Sequence, residues 1–353
     1  MCKLNLMPSL PEFWSIIIGL NMNIAINGLG RIGRLVLRAS VERKINVTHI
    51  NSPGDIHSLA HLIKYDSTHG TFPHACHVEG DNLVIAGHKI KVTHEKDPSK
   101  LDWQGLDIVL ECSGRFTKRD LAAAHLKHAH KVIVSSPCEN TDKTIVLGVN
   151  HETLSASDQV ISIGSCTTNA LAPIAKVLHD NFGIESGYAT TVHAYTNDQN
   201  LTDGSHKDLR RARAACMSMI PTKTGAAESL RLVIPELGGK ISGSAIRVPT
   251  SNVSLIDFSF HTLKDMTALD IEAAMRVASD DDMKGVLGIA EAALVSVDFN
   301  HSNFSSIFDP FETRVVGKRF GRILSWYDNE WAFAQRMLDV TKIFNSTINL
   351  VKH

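Results

Sequence analysis

Short apolar runs alternate with amphipathic segments over the first half of the chain, from Met22 onward. Each run has the length of a buried strand, and the segment after it has the apolar spacing of a helix. We assign strands to residues 23–27, 45–50, 107–112, 131–135 and 161–164. Strands that alternate with helices form parallel sheets, so the pattern predicts an α/β fold with a doubly wound parallel (Rossmann) sheet. Residues 72–105 instead contain short alternating segments and predict a small antiparallel insertion.

The pattern changes to alternation of polar and apolar positions after residue 166, in segments 186–196, 240–248 and 253–260. This indicates an antiparallel or mixed sheet with one covered face. We therefore expect two domains, a parallel-sheet domain at 22–165 and an α+β domain at 166–329. Residues 1–21 contain an apolar run too short to span a bilayer, and we expect a mobile extension there, with a weak signal peptide as the alternative.

Composition narrows the class of protein further. The 353 residues include 36 Lys+Arg and 37 Asp+Glu, and a net charge of -1 gives no general attraction to nucleic acid or to an anionic membrane. The six cysteines contain no C-x-x-C pair, which is typical of a reducing compartment, so we expect a cytoplasmic protein. His125, His128 and His130 cluster without an acidic or cysteine partner nearby, and we expect no metal site.

The motif Gly28-Leu-Gly30-Arg-Ile-Gly33 follows the first strand directly and opens a helix. This context is typical of dinucleotide binding, because glycines permit close approach of the backbone and a pyrophosphate can meet the helix N-terminus. An ordinary glycine-rich turn is the alternative. Later strand ends should face the same crevice, which places Ser113 and Ser135 beside the cofactor.

The residue expected to contact the adenosine ribose lies at the end of the second strand, and it is Ser52. A carboxylate at this position would repel a 2′-phosphate by about 3–4 kcal/mol at contact, with an effective dielectric of ~20. Its absence removes this barrier to NADP. The alternative is that Asp55 takes over the role through a loop altered by Pro53 and Gly54.

Cys166 stands where an apolar strand ends and an apolar helix begins. Unpaired backbone N–H groups and the positive end of the helix favour thiolate over thiol, which predicts a nucleophile. The alternative is a buried structural cysteine. Pro173 lies in the same helix, removes one N–H and is expected to disturb the first turns.

Three further features favour anion binding. Residues 197–220 include an arginine-rich run and are long for a connection without a role in a site or interface, although a solvated face is the alternative. Thr224 and Gly225 begin a helix with a hydroxyl and free amides. Arg247 offers a fixed fork of donors for a phosphate.

The order of these motifs resembles that of the phosphorylating (type I) glyceraldehyde-3-phosphate dehydrogenases. The resemblance rests on the segments NGLGRIGR (27–34), SCTTN (165–169), HAYTNDQ (193–199), DLRRAR (208–213), PTKTG (221–225), RVPT (247–250) and WYDNEW (326–331). It covers residues 22–350. It implies reversible conversion of glyceraldehyde 3-phosphate, inorganic phosphate and NAD(P)+ to 1,3-bisphosphoglycerate and NAD(P)H, as in glycolysis and gluconeogenesis.

The resemblance also implies roles for single residues. Cys166 would attack the aldehyde and carry the thiohemiacetal and thioester, while His193 would pair with the sulfur and transfer its proton. The two phosphate groups would be bound by Ser165, Thr167, Thr196, Arg211, Thr224, Gly225 and Arg247. The cofactor would contact Gly28, Gly30, Arg31, Ile32, Gly33, Ser52, Lys96, Ser113, Ser135, Ser205 and Asn329.

Some positions depart from the family pattern. Lys96 stands where the family often has an arginine near the adenine, and Arg210 could serve in place of Arg211. Ser205 follows a glycine where NAD-specific members often carry a bulky residue or a glycine followed by proline. A serine there, supplied by the neighbouring subunit, can bind the 2′-phosphate. Together with Ser52, this favours an NADP-accepting or dual enzyme of the gluconeogenic kind.

The resemblance implies a homotetramer, with residues 197–220 at an interface, and a last helix at 330–351 that packs back on the cofactor domain. One alternative is erythrose-4-phosphate dehydrogenase, in which water resolves the thioester; the Thr224–Gly225 anion site argues against it. The alternative of another class is a binding protein that uses its cofactor fold for RNA or a protein partner. The near-neutral charge argues against that.

Overall fold

The computed structural model describes residues 22–349, whose strands form two large sheets and one short hairpin. The first large sheet contains β1 (Ile24–Asn27), β2 (Val47–Asn51), β5 (Cys76–Glu79), β6 (Asn82–Ile85), β7 (His88–Thr93), β8 (Leu106–Glu111), β9 (Ala129–Val134), β10 (Lys143–Thr144) and β11 (Val160–Ser162). The hairpin contains β3 (Tyr65–Asp66) and β4 (Gly70–Thr71). The nine-stranded order is β10-β11-β9-β8-β1-β2-β7-β6-β5.

Every pairing from β10 across to β7 is parallel, and the pairings of β7 with β6 and of β6 with β5 are antiparallel. The central strands are apolar and fully buried because helices cover both faces of a doubly wound sheet. This confirms the predicted parallel sheet. The antiparallel insertion is also present, although it extends the edge of the parallel sheet beside β2 instead of forming a separate unit.

The second large sheet contains β12 (Ile184–Ala194), β13 (Ile220–Thr222), β14 (Ile241–Val248), β15 (Ser254–Thr262), β16 (Leu287–Ile289), β17 (Ser306–Val316) and β18 (Phe320–Tyr327). Its order is β13-β14-β12-β15-β18-β17-β16. The β12–β14 and β16–β17 pairs are parallel and the other pairs are antiparallel. The sheet is therefore mixed, and one of its faces carries the helices that separate it from the first sheet.

The α-helices are α1 (Arg31–Glu42), α2 (Ile56–Lys64), α3 (Arg119–Ala122), α4 (Cys166–Phe182), α5 (Ala226–Val233), α6 (Ala268–Asp280) and α7 (Trp331–Asn349). Helix α4 runs without interruption through Pro173. Most of its residues are buried, and burial of so many side chains outweighs one missing backbone hydrogen bond. The expected disturbance by Pro173 is therefore not observed.

Helix α7 packs against α1 and against strands β8 and β9 of the first sheet. Asp339 accepts a hydrogen bond from the Arg43 guanidinium at 2.5 Å, at the end of α1. Lys131 of β9 donates to the Thr347 hydroxyl at 2.7 Å. Residues 1–21 and 350–353 lie outside the described part of the chain. Within residues 22–349, none of the helices has the length and apolar character needed to cross a membrane.

Candidate active site

A pocket of about 610 Å³ lies at the carboxyl ends of the parallel strands, between the two large sheets. It is lined by more than half of the residues that the sequence predicts for the site, namely Gly30, Arg31, Ile32, Ser113, Ser135, Ser165, Cys166, His193, Thr196, Arg247 and Asn329. The fold therefore joins the predicted cofactor turn and the predicted catalytic residues in one cavity.

Cys166 is the first residue of α4, directly after the buried strand β11. Gly164 makes the turn into the helix with a positive φ of 66°, a conformation that favours glycine. Ser165 is the N-cap, and its hydroxyl accepts a hydrogen bond from the Thr168 N–H at 3.0 Å. The sulfur thus lies at the positive end of a long helix, as the sequence predicts.

His193 lies near the end of β12, directly opposite Arg247 of the parallel neighbour β14. Its Nε2 is 3.6 Å from Cys166 Sγ, and its Nδ1 is 2.6 Å from the Ala194 carbonyl oxygen. When its proton is on Nδ1, His193 donates to that carbonyl, and Nε2 is then free to accept the thiol proton. The pair has the geometry of a nucleophile and its general base.

Burial raises the pKa of the Cys166 thiol, although the Arg247 cation opposes this rise. Burial first and the Arg247 cation second lower the pKa of His193 to about 3. Arg247 Nη1 is only 2.5 Å from His193 Nδ1. Burial of the sulfur therefore opposes the lowering of the thiol pKa that the helix N-terminus favours.

Thr167 is buried behind the sulfur and does not line the pocket. Its hydroxyl is 3.0 Å from the Tyr327 hydroxyl, which also lies 2.8 Å from Thr191 Oγ1. The Tyr327 ring packs edge to face against the His193 ring, with the ring centres 6.0 Å apart. The Thr167 side chain thus supports the catalytic pair from behind, and only its backbone N–H remains for an anion.

The glycine turn satisfies the space requirement of a dinucleotide. A Cβ on Gly33 would lie 1.9 Å from the Gly28 carbonyl oxygen, and Gly28 has φ +96° and contacts the backbone of Ser113. Gly30, the N-cap of α1, has no atom within 4 Å of its Cβ position and borders the pocket. The first N–H groups of α1 have no helical partners. A pyrophosphate can therefore approach the backbone at Gly30, where Ile32 also lines the cavity.

The Arg31 side chain is held by two carboxylates. Its guanidinium donates to Asp66 at 2.5 and 3.2 Å and to Glu330 at 2.9 and 2.5 Å. These bonds occupy all of its nitrogens. Its backbone N–H, at the first position of α1, is the group left for the predicted contact with the cofactor.

Ser113, Ser135 and Asn329 border the cavity from three strand ends. The Ser113 hydroxyl donates to Glu111 at 2.5 Å, which fixes the β8 end of the pocket. The Asn329 side-chain oxygen accepts from the Ser254 hydroxyl at 2.8 Å. The Asn329 amide N–H groups therefore remain as the donors that the site can use.

Ser52 is buried at the end of β2, next to the loop that follows β7. The His94 ring nitrogen Nδ1 is 2.8 Å from the Ser52 carbonyl oxygen, and Lys96 is exposed two residues further on. Asp55 instead caps α2, since its carboxylate accepts the Ser58 N–H at 2.8 Å. One oxygen of the Asp55 carboxylate is therefore engaged at the start of α2.

The remaining predicted anion ligands lie outside the described pocket lining. Arg211 donates to Asp198, which does line the pocket, and to the Thr222 hydroxyl at 2.9 Å. Thr224 accepts the Ala226 N–H at 3.2 Å, and Gly225 is the N-cap of α5. Arg210 is exposed, so Arg211 is the arginine next to the site. Ser205 is also exposed.

Sequence reasoning missed several polar residues that support the site. Glu111, 1% exposed, accepts hydrogen bonds from Asn27 at 2.5 Å and lies 2.9 Å from His125 Nε2. His125, 14 positions away, thus belongs to a buried network under the cofactor turn. Glu330 and Tyr327 were not singled out either. Both lie in the WYDNEW segment (326–331), and this motif is the sequence feature that indicates them. Within residues 22–349, no group of three or more metal-ligating side chains is present.

The doubly wound sheet, with its glycine turn at the edge of the pocket, indicates a nicotinamide-dependent dehydrogenase. Residues 22–119 match the family model described as glyceraldehyde 3-phosphate dehydrogenase, NAD binding domain, and residues 165–329 match the C-terminal domain of the same family. The chain belongs to the glyceraldehyde 3-phosphate dehydrogenase family. It is an NAD(P)-dependent phosphorylating dehydrogenase.

Curated relatives with the name glyceraldehyde-3-phosphate dehydrogenase match nearly the whole chain. The protein of Cereibacter sphaeroides is 51% identical over 325 residues, which are 91% of this chain and 97% of that protein. The Pseudomonas aeruginosa protein is 51% identical over 327 residues, with the same two coverages. The Geobacillus stearothermophilus protein is 49% identical over 324 residues, 90% of this chain and 97% of that protein.

Proposed function

We propose that Cys166 is the nucleophile and His193 the general base in the oxidation of glyceraldehyde 3-phosphate. The observation that carries this proposal is the 3.6 Å contact between Sγ and Nε2 in a pocket that also contains Gly30 of the cofactor turn. As sulfur attacks the aldehyde carbon, the thiol proton moves to Nε2. His193 then returns this proton to the new alkoxide, and a thiohemiacetal forms.

His193 takes the hydroxyl proton of the thiohemiacetal as a hydride leaves the same carbon, so that a thioester remains on Cys166. A bound nicotinamide supplies the hydride acceptor. Inorganic phosphate then attacks the thioester carbonyl, the carbon–sulfur bond breaks, and the sulfur recovers its proton from His193. The product is 1,3-bisphosphoglycerate, and the same groups serve the reverse direction.

Two anion sites flank Cys166 in this proposal. Thr196 and Arg247 line the pocket and would bind the phosphate of the substrate. Pairing with a phosphate would neutralise the cation beside His193 and raise the pKa of the imidazole, which prepares it to accept a proton. The attacking phosphate would be bound by Ser165, the Thr167 backbone, Arg211, Thr224 and Gly225.

We propose that the enzyme accepts NADP(H), alone or alongside NAD(H). Ser52 places no carboxylate at the ribose, and the neighbouring His94 and Lys96 provide basic groups for a 2′-phosphate. Ser205 lies in an exposed segment from which it could reach the cofactor of a neighbouring subunit. This cofactor use is compatible with a gluconeogenic direction.

Assembly as a homotetramer is part of the proposal. The segment 197–220 exposes four large apolar side chains, Leu201, Leu209, Met217 and Met219. Such clusters are typical of surfaces that a partner covers. We propose the domain division at residues 22–165 and 166–329, with α7 returning to the first domain, and a cytoplasmic location in keeping with the free cysteines.

The test of the function is a dehydrogenase assay with glyceraldehyde 3-phosphate, with and without inorganic phosphate. We expect steady turnover only with phosphate. Erythrose 4-phosphate is the comparison substrate, and its faster, phosphate-independent oxidation would favour the sister enzyme. A binding protein for RNA or a protein partner would lack turnover altogether, and an active enzyme that loses turnover in Cys166→Ala would exclude a purely binding role.

A further inference from the structure

Two histidines from distant parts of the chain meet beside the cofactor turn. His69 Nδ1 is 3.0 Å from His301 Nδ1, a distance at which one nitrogen donates and the other accepts a single shared proton. The His301 ring stacks on Trp331 at 3.8 Å between ring centres, and its backbone N–H donates to Asp328 at 2.7 Å. The pair is therefore held in place by packing on both sides.

The second ring nitrogen of His69 connects the pair to the cofactor turn. Nε2 lies 3.2 Å from a Glu330 carboxylate oxygen, and the same oxygen accepts from Arg31 at 2.5 Å. The His69 side chain is 0% exposed. A continuous chain of contacts thus runs from His301 through His69 and Glu330 to Arg31, the first residue of α1.

The charge of this cluster depends on the histidine pair. Arg31 carries one positive charge, and its partners Asp66 and Glu330 each carry one negative charge, so the cluster is negative when both histidines are neutral. One proton on the pair makes it neutral. Glu330 borders the same pocket as Gly30, where a pyrophosphate would bind. Uncompensated negative charge at this place weakens the binding of an anionic dinucleotide.

The pair can hold either zero or one extra proton without moving. A protonated His69 donates from Nε2 to Glu330 and from Nδ1 to His301, whereas a neutral His69 accepts from His301 at Nδ1. Burial and the nearby His69 lower the pKa of His301. The other charged groups around the pair are Arg34, Arg38 and Asp328.

We propose that His69 and His301 form a one-proton pair that sets the affinity of the cofactor turn for the dinucleotide through Glu330 and Arg31. The inference rests on the proposed function, because it takes the Gly28–Gly33 turn as the pyrophosphate site. His69 acts as a positioning residue that compensates Glu330. Binding of dinucleotide is then coupled to uptake of a proton.

The experiment is calorimetric titration of the whole enzyme with NAD, whose phosphates do not titrate between pH 6 and 8.5. We expect the Kd to rise roughly three- to tenfold from pH 6 to 8.5. Near the midpoint of the pH dependence, the binding heats measured in two buffers of different ionisation enthalpy should differ. The difference should correspond to uptake of a fraction of a proton. Equal heats after buffer correction, with a flat pH profile, would overturn the proposal.

His69→Gln keeps a donor for Glu330 and cannot be protonated, so its Kd should be independent of pH and close to the high-pH value of the wild type. Its kcat at saturating NAD should be unchanged, while at low pH its KM for NAD should exceed that of the wild type. His77→Gln is the matched control, because His77 pairs with Glu79 at 3.1 Å on the far edge strand β5. It should retain the wild-type profile.

His301→Asn is the second variant. It keeps His69 and removes the imidazole that accepts the Nδ1 proton of protonated His69, so the pH dependence should persist with its midpoint at lower pH. A wild-type profile in His69→Gln or an unchanged midpoint in His301→Asn would contradict the proposal. Failure of the proposed function looks different, since the wild-type enzyme would then bind neither NAD nor NADP at any pH.

Discussion

At the residue scale, we propose that Cys166 reacts with transfer of the thiol proton to His193 as the carbon–sulfur bond forms. Burial raises the pKa of the thiol and, together with Arg247, keeps His193 neutral. The imidazole at 3.6 Å is therefore an acceptor ready for the thiol proton when the carbon–sulfur bond forms. The helix N-terminus stabilises the sulfur charge that appears during this step.

Replacement of His193 by Asn should lower kcat by roughly 10²–10⁴-fold, because no base accepts the thiol proton. Alkylation of Cys166 by iodoacetamide at pH 7 should slow as well. Above the raised pKa of the thiol the two proteins should react at similar rates, since the thiolate then forms without help. An identical alkylation profile from pH 5 to 10 would assign the activation to the helix alone.

Ser52→Asp should shift the cofactor preference toward NAD. The new carboxylate would repel the 2′-phosphate by about 3–4 kcal/mol at an effective dielectric of ~20, a difference reduced by solvent at the pocket edge. The measurement is the ratio of kcat/KM for NADPH and NADH in both proteins, with Ser52→Asn as a neutral control. A wild-type enzyme that strongly prefers NADH would refute the proposed NADP use.

The positions of Cys166 and the glycine turn could be predicted from sequence, since each lies at a recognisable junction of strand and helix. The network around them could not. His69 and Glu330 are 261 positions apart, and only the folded chain brings them within 3.2 Å. The buried role of the Thr167 hydroxyl was likewise inaccessible, because it depends on Tyr327 of a distant strand.

At the scale of the element, the turn between β1 and α1 contains glycines with different tasks. Gly33 packs against the Gly28 carbonyl and has no space for a side chain, whereas the Cβ position of Gly30 is open. Helix α4 is continuous although it contains a proline. Its Pro173 suggests a disturbed helix in isolation, but the burial of its neighbours determines the outcome.

Gly33→Ala and Gly30→Ala form a matched pair that tests this turn. Gly33→Ala should destabilise the first domain and lower its melting temperature, because a Cβ would lie 1.9 Å from a carbonyl oxygen. Gly30→Ala should fold normally and weaken dinucleotide binding roughly tenfold or more by blocking the approach of the pyrophosphate. Normal affinity in folded Gly30→Ala would place the cofactor elsewhere.

At the scale of the whole molecule, apolar runs that alternate with amphipathic segments predicted the parallel sheet. Alternation of polar and apolar positions along single segments predicted the second sheet. The pattern did not predict the strand order or the parallel pairing of β12 with β14, because both depend on contacts between distant segments. The exposed apolar side chains of segment 197–220 are typical of a surface that a partner covers, and the proposed tetramer provides that partner.

Leu209→Asp tests this assembly. Leu209 is 82% exposed in the single chain, so the substitution should leave the fold intact. If a neighbour covers the segment, the variant should dissociate in sedimentation analysis and its KM for NADPH should rise as Ser205 is withdrawn. Leu269→Asp, at a similarly exposed position on α6, is the control. A wild-type monomer would contradict the proposed tetramer.

The most direct test of the account is mass spectrometry of the enzyme mixed with glyceraldehyde 3-phosphate and oxidised cofactor in the absence of phosphate. We predict one acyl group per chain, located on the peptide that contains Cys166 and released when phosphate is added. Cys166→Ser should carry no such thioester. Steady turnover by that variant, or an acyl group on another cysteine of the wild type, would contradict the assignment of Cys166 as the nucleophile.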